Sequence, residues 1–229
     1  MAQETRKSNR IRSDQYFQDY CQGDVIDIGA GDNKITDDAV VFDVNEGNAQ
    51  NILDYVETES FDCVYSSHCL EHMQDARATI NQWWKILRPG GYMIIVVPDE
   101  DLYEQQCWPS MFNSDHKHTF TISKPNSWSM VSINLKDLLC GLDGAELINI
   151  EIQSDGYDHN LREKNISPRM HSLWNYKKST GLKKHLKHLV YRLAYYPYLR
   201  FDWLKRGRPI DQTEGDALAQ IEAIVRKRV

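Results

Sequence analysis

Val25-Ile26-Asp27-Ile28-Gly29-Ala30-Gly31 is the stretch on which the reading of the fold turns. A short apolar run that ends abruptly in two glycines reads as a buried strand followed by a tight turn. Glycines at such a strand end let the backbone come close to a ligand, and a following helix N-terminus offers unpaired N–H groups. A dinucleotide fingerprint, G-x-G-x-x-G, needs a third glycine where this chain has Lys34, so a nicotinamide cofactor is disfavoured. Downstream, Ala39–Phe42 reads as a second strand ending in Asp43, whose carboxylate can accept hydrogen bonds from both hydroxyls of a ribose. The plainer reading of Asp43 is a loop aspartate at a strand end.

Working outward, Phe61–Ser66 reads as a strand, and a further short strand is expected near Asn51–Leu53. Ala76, Ile80, Trp83, Trp84 and Leu87 recur at helical spacing before Pro89-Gly90-Gly91. Tyr92–Val97 is almost uninterruptedly apolar, as a strand covered on both faces of a parallel sheet must be. Residues 101–129 look irregular, Leu135–Leu142 helical and Ala145–Ile152 extended; Ala219–Arg226 fits either a last helix or an edge strand. Alternating β and α units predict an α/β fold: a doubly wound, Rossmann-like, seven-stranded, mostly parallel sheet with helices on both faces and a basic, partly helical insertion before the last strand. The expected divisions are a helical lead-in at 1–22, a core at 23–153, an insertion at 154–215 and a closing strand or helix at 216–229.

The 229 residues suit one α/β core, and 41% hydrophobic with 26% charged residues is an ordinary globular balance. No apolar run is long enough to span a bilayer, and residues 1–23 lack the apolar centre of a signal peptide. The five cysteines form no C-x-x-C pair and read as free thiols of a reducing compartment, so a cytoplasmic location is expected. The net charge of -6 conceals a segregation: Lys177–Arg208 contains ten Lys or Arg against only Asp202.

Taken together, VIDIGAG (25–31), Asp43, Asp54 in Asn51-Ile52-Leu53-Asp54, FDCVYSSHCLEH (61–72) and ILRPGGYMIIVVP (86–98) resemble the successive motifs of class I S-adenosylmethionine (SAM) dependent methyltransferases, type 11-like, over about residues 23–100. The resemblance implies SAM as cofactor and S-adenosylhomocysteine as product. It implies that Asp27, Gly29, Ala30 and Gly31 line the methionine part and that Asp43, with Val44 beside it, holds the ribose. Asp54 and Tyr55 would meet the adenine, and Ser66 and Ser67 would border the methyl donor. The stretch 97–120 also resembles bacterial methyltransferases of surface-polysaccharide biosynthesis. That likeness implies a sugar, nucleotide-sugar or glycan precursor, methylated on a hydroxyl or phosphoryl oxygen.

Methyl transfer to oxygen needs alignment of donor and acceptor and removal of one proton, for which histidine is the natural base. His68, Glu71 and His72 stand at i, i+3 and i+4, on one face if helical, and His116 and His118 follow the fifth strand. Three readings stay open. In one, His118 or His116, with His72, is catalytic without metal, and His68, Trp108, Asn113 and Asp115 contact the acceptor. In another, His68, Glu71, His72 and His118 hold a divalent ion that acidifies the acceptor hydroxyl. Some small-RNA and quinone-pathway O-methyltransferases are similar, but with E-x-x-E-H where this chain has His68-x-x-Glu71-His72. In the third, Leu70-Glu71-His72 is a structural helix start.

Trp108, Phe112, Asn113, Asp115 and Trp128 mix aromatic faces with polar groups, as sugar-binding surfaces do; tryptophan as core filler is the alternative. The basic segment suits a phosphorylated acceptor or peripheral contact with a membrane, through Leu182, Leu186, Leu189, Val190 and Leu193 on one helical face, or it is a solvated helix. The acidic remainder of the chain opposes nucleic acid. Two classes compete: an O-methyltransferase of such a glycan-linked or another small-molecule acceptor, and a catalytically degenerate SAM-binding subunit that recruits a partner.

Overall fold

The computed structural model describes residues 4–163 and 207–229. Residues Met1–Tyr157 together with Gln212–Val229 form one compact unit, and Asp158–Asp211 form another. Of the second unit, Glu163 and Arg208 exchange both backbone hydrogen bonds at 3.0 Å, and their side chains approach to 3.5 Å. Most of the basic segment, with its amphipathic face at 182–193, lies outside the described residues.

The first unit carries a six-stranded sheet: β1 (Val25–Ile28), β2 (Val40–Phe42), β3 (Phe61–Ser67), β4 (Leu87–Pro98), β7 (Ala145–Gln153) and β8 (Gln220–Lys227). Its order is β2-β1-β3-β4-β8-β7. β1 to β4 are mutually parallel, whereas β8 runs antiparallel to both β4 and β7. The sheet is thus mostly parallel, as expected, but among the described residues it has six strands rather than seven. Where a strand is expected near Asn51–Leu53, Ala49–Asp54 instead coils into a 3-10 helix, opened by Asn48 Oδ1 accepting from Gln50 N–H at 3.0 Å. Asparagine at that position offers the backbone a local partner that competes with sheet pairing. The last segment is neither helix nor edge. β8 lies inside the sheet, and its first six residues are buried.

Two helices, α1 (Glu4–Asn9) and α2 (Asp14–Tyr20), replace the single lead-in helix. Helix α3 (Ala76–Ile86) starts where Asp75 accepts from Ala78 N at 2.9 Å, a side-chain cap that satisfies one of the orphan N–H groups of a first turn. It buries Ala76, Thr79, Ile80, Trp83, Trp84 and Ile86, and both indoles find carbonyls, on Ala49 and Asp143, at 2.8 Å. Helix α4 (Leu135–Cys140) starts where the periodicity suggests, directly after a small parallel pair, β5 (Thr119–Thr121) and β6 (Ser132–Asn134), but stops short of Leu142 at Gly141, whose N–H donates to the Asp137 carbonyl at 3.1 Å. That pair organises part of a stretch whose sequence looks irregular.

Alternation along the strands sends side chains to two cores. Ile26, Ile28, Val64, Met93 and Ile95 pack with α3 and α4 on one face; Val25, Cys63, Tyr65, Ile94 and Val96 pack on the other, with Tyr16, Phe17 and Tyr20 of α2 against them. β1 has β2 on one side and β3 on the other, so chain direction across the sheet reverses there. In open α/β sheets the crevice beyond the carboxyl ends of such strands is where ligands bind.

Candidate active site

At that crevice, Ile28 is level with Ser66 and Ser66 with Ile95, so Gly29–Gly31 and, one residue further, His68–Cys69 leave the sheet at the same edge. Gly29 has φ +80°, and a Cβ there would stand 2.7 Å from Cys69 Cβ. Glycine is therefore required on both conformational and steric grounds. Gly31 N–H donates to Asp43 Oδ2 at 2.9 Å, and nothing would meet a Cβ on Gly31 within 4 Å. Val44 N–H donates to the other Asp43 oxygen at 2.7 Å, which orients the carboxylate and leaves lone pairs on both oxygens.

A cleft of about 490 Å³ opens here, lined by Gly29, Phe42, Asp43, Val44, Gly47, Asn48, Ala49, Tyr55, Cys69 and Met73. Of the residues expected to bind the cofactor, Gly29, Asp43, Val44 and Tyr55 line it. Tyr55 meets Phe42 edge to face at 5.7 Å, while Asp54 is exposed and outside the lining. Phe42, Gly47, Asn48, Ala49, Cys69 and Met73 were not singled out by the sequence. Only Gly47-Asn48 carried a signal, as a turn-forming pair just after β2.

Asp27 lies fully buried beneath the glycine turn. Its Oδ2 accepts from Ile35 N–H at 2.7 Å, while Oδ1 is buried with no partner. Burial pushes its carboxyl up to about 7, against the smaller opposing effect of the Ile35 bond. Ser66 Oγ donates to the Ile28 carbonyl at 2.9 Å, and Ser67 Oγ is buried without a partner.

Beyond β3 the chain does not form the helix that would put His68, Glu71 and His72 on one face. His68 sits at φ +53° and Leu70–His72 is a single 3-10 turn. The three side chains converge nonetheless. Glu71 is fully buried, and its Oε1 lies 3.5 Å from His68 Nδ1, 3.9 Å from His72 Nε2 and 4.0 Å from His116 Nε2. Lys117 N–H donates to the Glu71 carbonyl at 2.7 Å, which pins the 116–118 segment to this turn. His116 therefore joins the cluster where sequence placed His118 among the metal candidates. His118 follows two residues on, with its Nε2 buried and unpartnered.

The far side of each clustered ring is held. His68 Nε2 pairs with Gln220 Oε1 at 3.0 Å, His72 Nδ1 with Asp115 Oδ2 at 3.1 Å, and His116 Nδ1 with Glu104 Oε1 at 2.7 Å. Gln220 in turn donates to Ser8 Oγ and Gln153 Oε1, so α1, β7 and β8 all brace His68. Burial pulls the His68 imidazole down, but Glu71 outweighs it and leaves the ring raised; burial pushes Glu71 up, and the histidines, His68 foremost, leave it lowered. Glu104 and Gln220 escaped the sequence reading because nothing local marks a residue that acts through a histidine far along the chain.

Around this cluster, Tyr103 lies tilted against His116 with ring centroids 5.2 Å apart and meets Phe112 edge to face. Trp108 and Trp128 are both half-buried rather than core, and Trp128 Nε1–H donates to Asp101 Oδ1 at 3.0 Å. Asn113 Oδ1 accepts from Asp115 N–H at 3.0 Å, and Asp115 is shared between His72 and Lys117. Both residues thereby shape the loop that carries the histidines.

A family model described as a methyltransferase domain matches residues 9–138. No curated protein matches the chain significantly in sequence. Among solved structures, a SAM-dependent methyltransferase of Thermotoga maritima, described as a possible histamine N-methyltransferase, is 16% identical with a TM-score of 0.48, covering 98% of this chain and 88% of its own. A SAM-dependent methyltransferase of Archaeoglobus fulgidus is 14% identical, with a TM-score of 0.45 and coverage of 99% and 94%. A putative methyltransferase of Bacillus halodurans is 12% identical, with a TM-score of 0.44 and coverage of 93% and 97%.

Proposed function

The chain belongs to the methyltransferase-domain family and is a SAM-dependent methyltransferase; from that premise we propose that it methylates an oxygen of a sugar, nucleotide-sugar or glycan precursor. The cofactor suits the residues present. An oriented carboxylate with spare lone pairs, Asp43, stands at the end of β2 in a cleft walled by Tyr55 and Val44. Gly31 offers open space beside it, and the unpartnered buried Oδ1 of Asp27 calls for a donor. Asp43 would hold the ribose, Tyr55 and Val44 the adenine, and Gly29 to Gly31 with Asp27 the methionine end. Asp54 is exposed and outside the cleft lining, so in this reading the adenine falls to Tyr55 and Val44 without it.

When bound, the cofactor supplies a methyl carbon already activated by a sulfonium. Transfer forms one C–O bond as the S–C bond breaks, the electron pair leaving with sulfur and the acceptor proton passing to a base. His118 is that base in this reading, because its buried, unpartnered Nε2 can accept a proton. His116 and His72, held by Glu104 and Asp115, position the acceptor. The single observation that carries an oxygen acceptor is the assembly of histidines and a buried glutamate beside the cofactor cleft, where proton removal is needed. A sugar is favoured by half-buried Trp108 and Trp128 beside polar groups. The basic segment 177–208, read from sequence, adds a phosphorylated handle.

The test is a screen of the purified protein with SAM against nucleotide-activated sugars, phosphorylated sugars and amines, read as release of S-adenosylhomocysteine. Turnover confined to amines would overturn the oxygen assignment; turnover with a sugar hydroxyl supports it.

A further inference from the structure

We propose that Glu71, His72 and His116, with His68 as a fourth donor, bind a first-row divalent transition-metal ion. One ligand atom from each of the first three lies within 4.8 Å of the others. The inference rests on how the hydrogen atoms must be arranged. Asp115 and Glu104 accept from Nδ1 of His72 and His116, and Gln220 Oε1 accepts from Nε2 of His68. The orientation of Gln220 is set independently, since its amide nitrogen donates to Ser8 and Gln153. In the neutral rings, therefore, every remaining nitrogen presents a lone pair, and all of them face the Glu71 carboxylate, which is itself an acceptor. Acceptors facing acceptors in a buried site cost free energy unless a cation or a proton sits among them.

A proton on His68 Nδ1 would pair one Glu71 oxygen at 3.5 Å. It would leave the second Glu71 oxygen and His72 Nε2 as they stand, buried and without a partner. One cation serves all of them. Its charge is also matched, by Glu71 inside the cluster and by Glu104 and Asp115 behind the rings. Such a carboxylate behind a metal-facing imidazole fixes the tautomer and raises its basicity. Bonds of roughly 2.0–2.2 Å set neighbouring donors about 3–3.5 Å apart; each ring nitrogen stands 3.5 to 4.0 Å from Glu71 Oε1, and the donors of Glu71, His72 and His116 lie within 4.8 Å of one another, so the rings must turn inward to close on an ion. Three imidazoles and one carboxylate suit manganese, iron, cobalt, nickel or zinc rather than calcium or magnesium.

Four donors leave positions of a six-coordinate ion open. If the oxygen acceptor proposed above is right, its hydroxyl fills one of them and becomes easier to deprotonate by His118. The metal site itself does not depend on that acceptor.

The test uses the full chain, stripped with a chelator and titrated with Co2+, whose visible d–d absorption reports nitrogen and oxygen ligands. A band saturating at one equivalent is expected in the wild type. Its apparent affinity should fall by at least roughly tenfold in Glu71→Gln and in His72→Ala, the latter at a partly exposed position where folding is least at risk. No saturable band in the wild type, or an undiminished band in both folded variants, would overturn the proposal. A SAM-induced rise in melting temperature, measured on the same stripped protein, keeps the two ideas apart. If that rise is absent while the band persists, the cofactor reading fails and the metal site stands.

Discussion

In the cleft beyond β1 and β2, the groups proposed to face the cofactor are largely main chain: two glycines at positive φ and a carboxylate aimed by two backbone N–H groups. In the cluster beyond β3, they are side chains from positions 68 to 72, 104, 115 to 116 and 220, each ring braced from behind. The first arrangement needs only a strand, a turn and a second strand in succession. The second needs distant segments to fold correctly before any of its groups meet. Cofactor binding should therefore tolerate changes in the cluster, and chemistry should not.

His118→Ala is the most severe way to test that separation. Turnover on the true acceptor should fall by roughly 10²–10⁴-fold, while SAM affinity measured by calorimetry stays the same. An unchanged rate removes His118 from the mechanism.

Asp27→Asn probes the cleft through stability. Burial raises this carboxyl from its ordinary range to about 7. Below about pH 4 both folded and unfolded chains hold the proton, so there is no penalty. As pH rises toward 7 the unfolded chain releases it first, and stability declines until the folded carboxyl also ionises. The asparagine variant should lack this decline and, at pH 8 without cofactor, be more stable by a few kcal/mol, on the order of 2–4. The same change should weaken SAM. A wild-type pH profile of melting temperature in the variant would show that Asp27 is not the group responsible.

Asp43→Ala should weaken SAM by about 1.5–3 kcal/mol, the usual worth of a charged hydrogen-bonding partner, with kcat at saturating SAM little changed. Calorimetry giving wild-type affinity would contradict the ribose assignment. Trp128→Phe should have the smallest effect: loss of one partly exposed bond to Asp101 costs at most about 1 kcal/mol in stability. A raised KM for the acceptor with kcat intact would place Trp128 on the acceptor path; no change in either would make it merely part of the loop.

These contrasts follow how each region can be read. Apolar runs such as Tyr92–Val97, and the glycines after β1, announce themselves because parallel strands are covered on both faces and tight turns exclude side chains. The 3-10 turn at Ala49–Asp54 is hidden from the sequence because Asn51-Ile52-Leu53 fits a short strand as well as a turn. The interior position of β8 was equally hidden, since strand order depends on which edges remain when the chain returns. In the cluster, the triplet His68, Glu71 and His72 was visible, though for a helical reason that does not apply.

Sequence alone determined the α/β class, the glycine turn with its acidic partner at Asp43, and the concentration of histidines after the third and fourth strands of the sheet. These are local matters, governed by periodicity and backbone freedom over a few residues. Only the tertiary structure decided that His116 faces Glu71, that Glu104 and Gln220 hold the rings from behind, and that β8 enters the sheet antiparallel between β4 and β7. Buried polar groups must find partners wherever the fold brings them, and that requirement acts across the chain rather than along it.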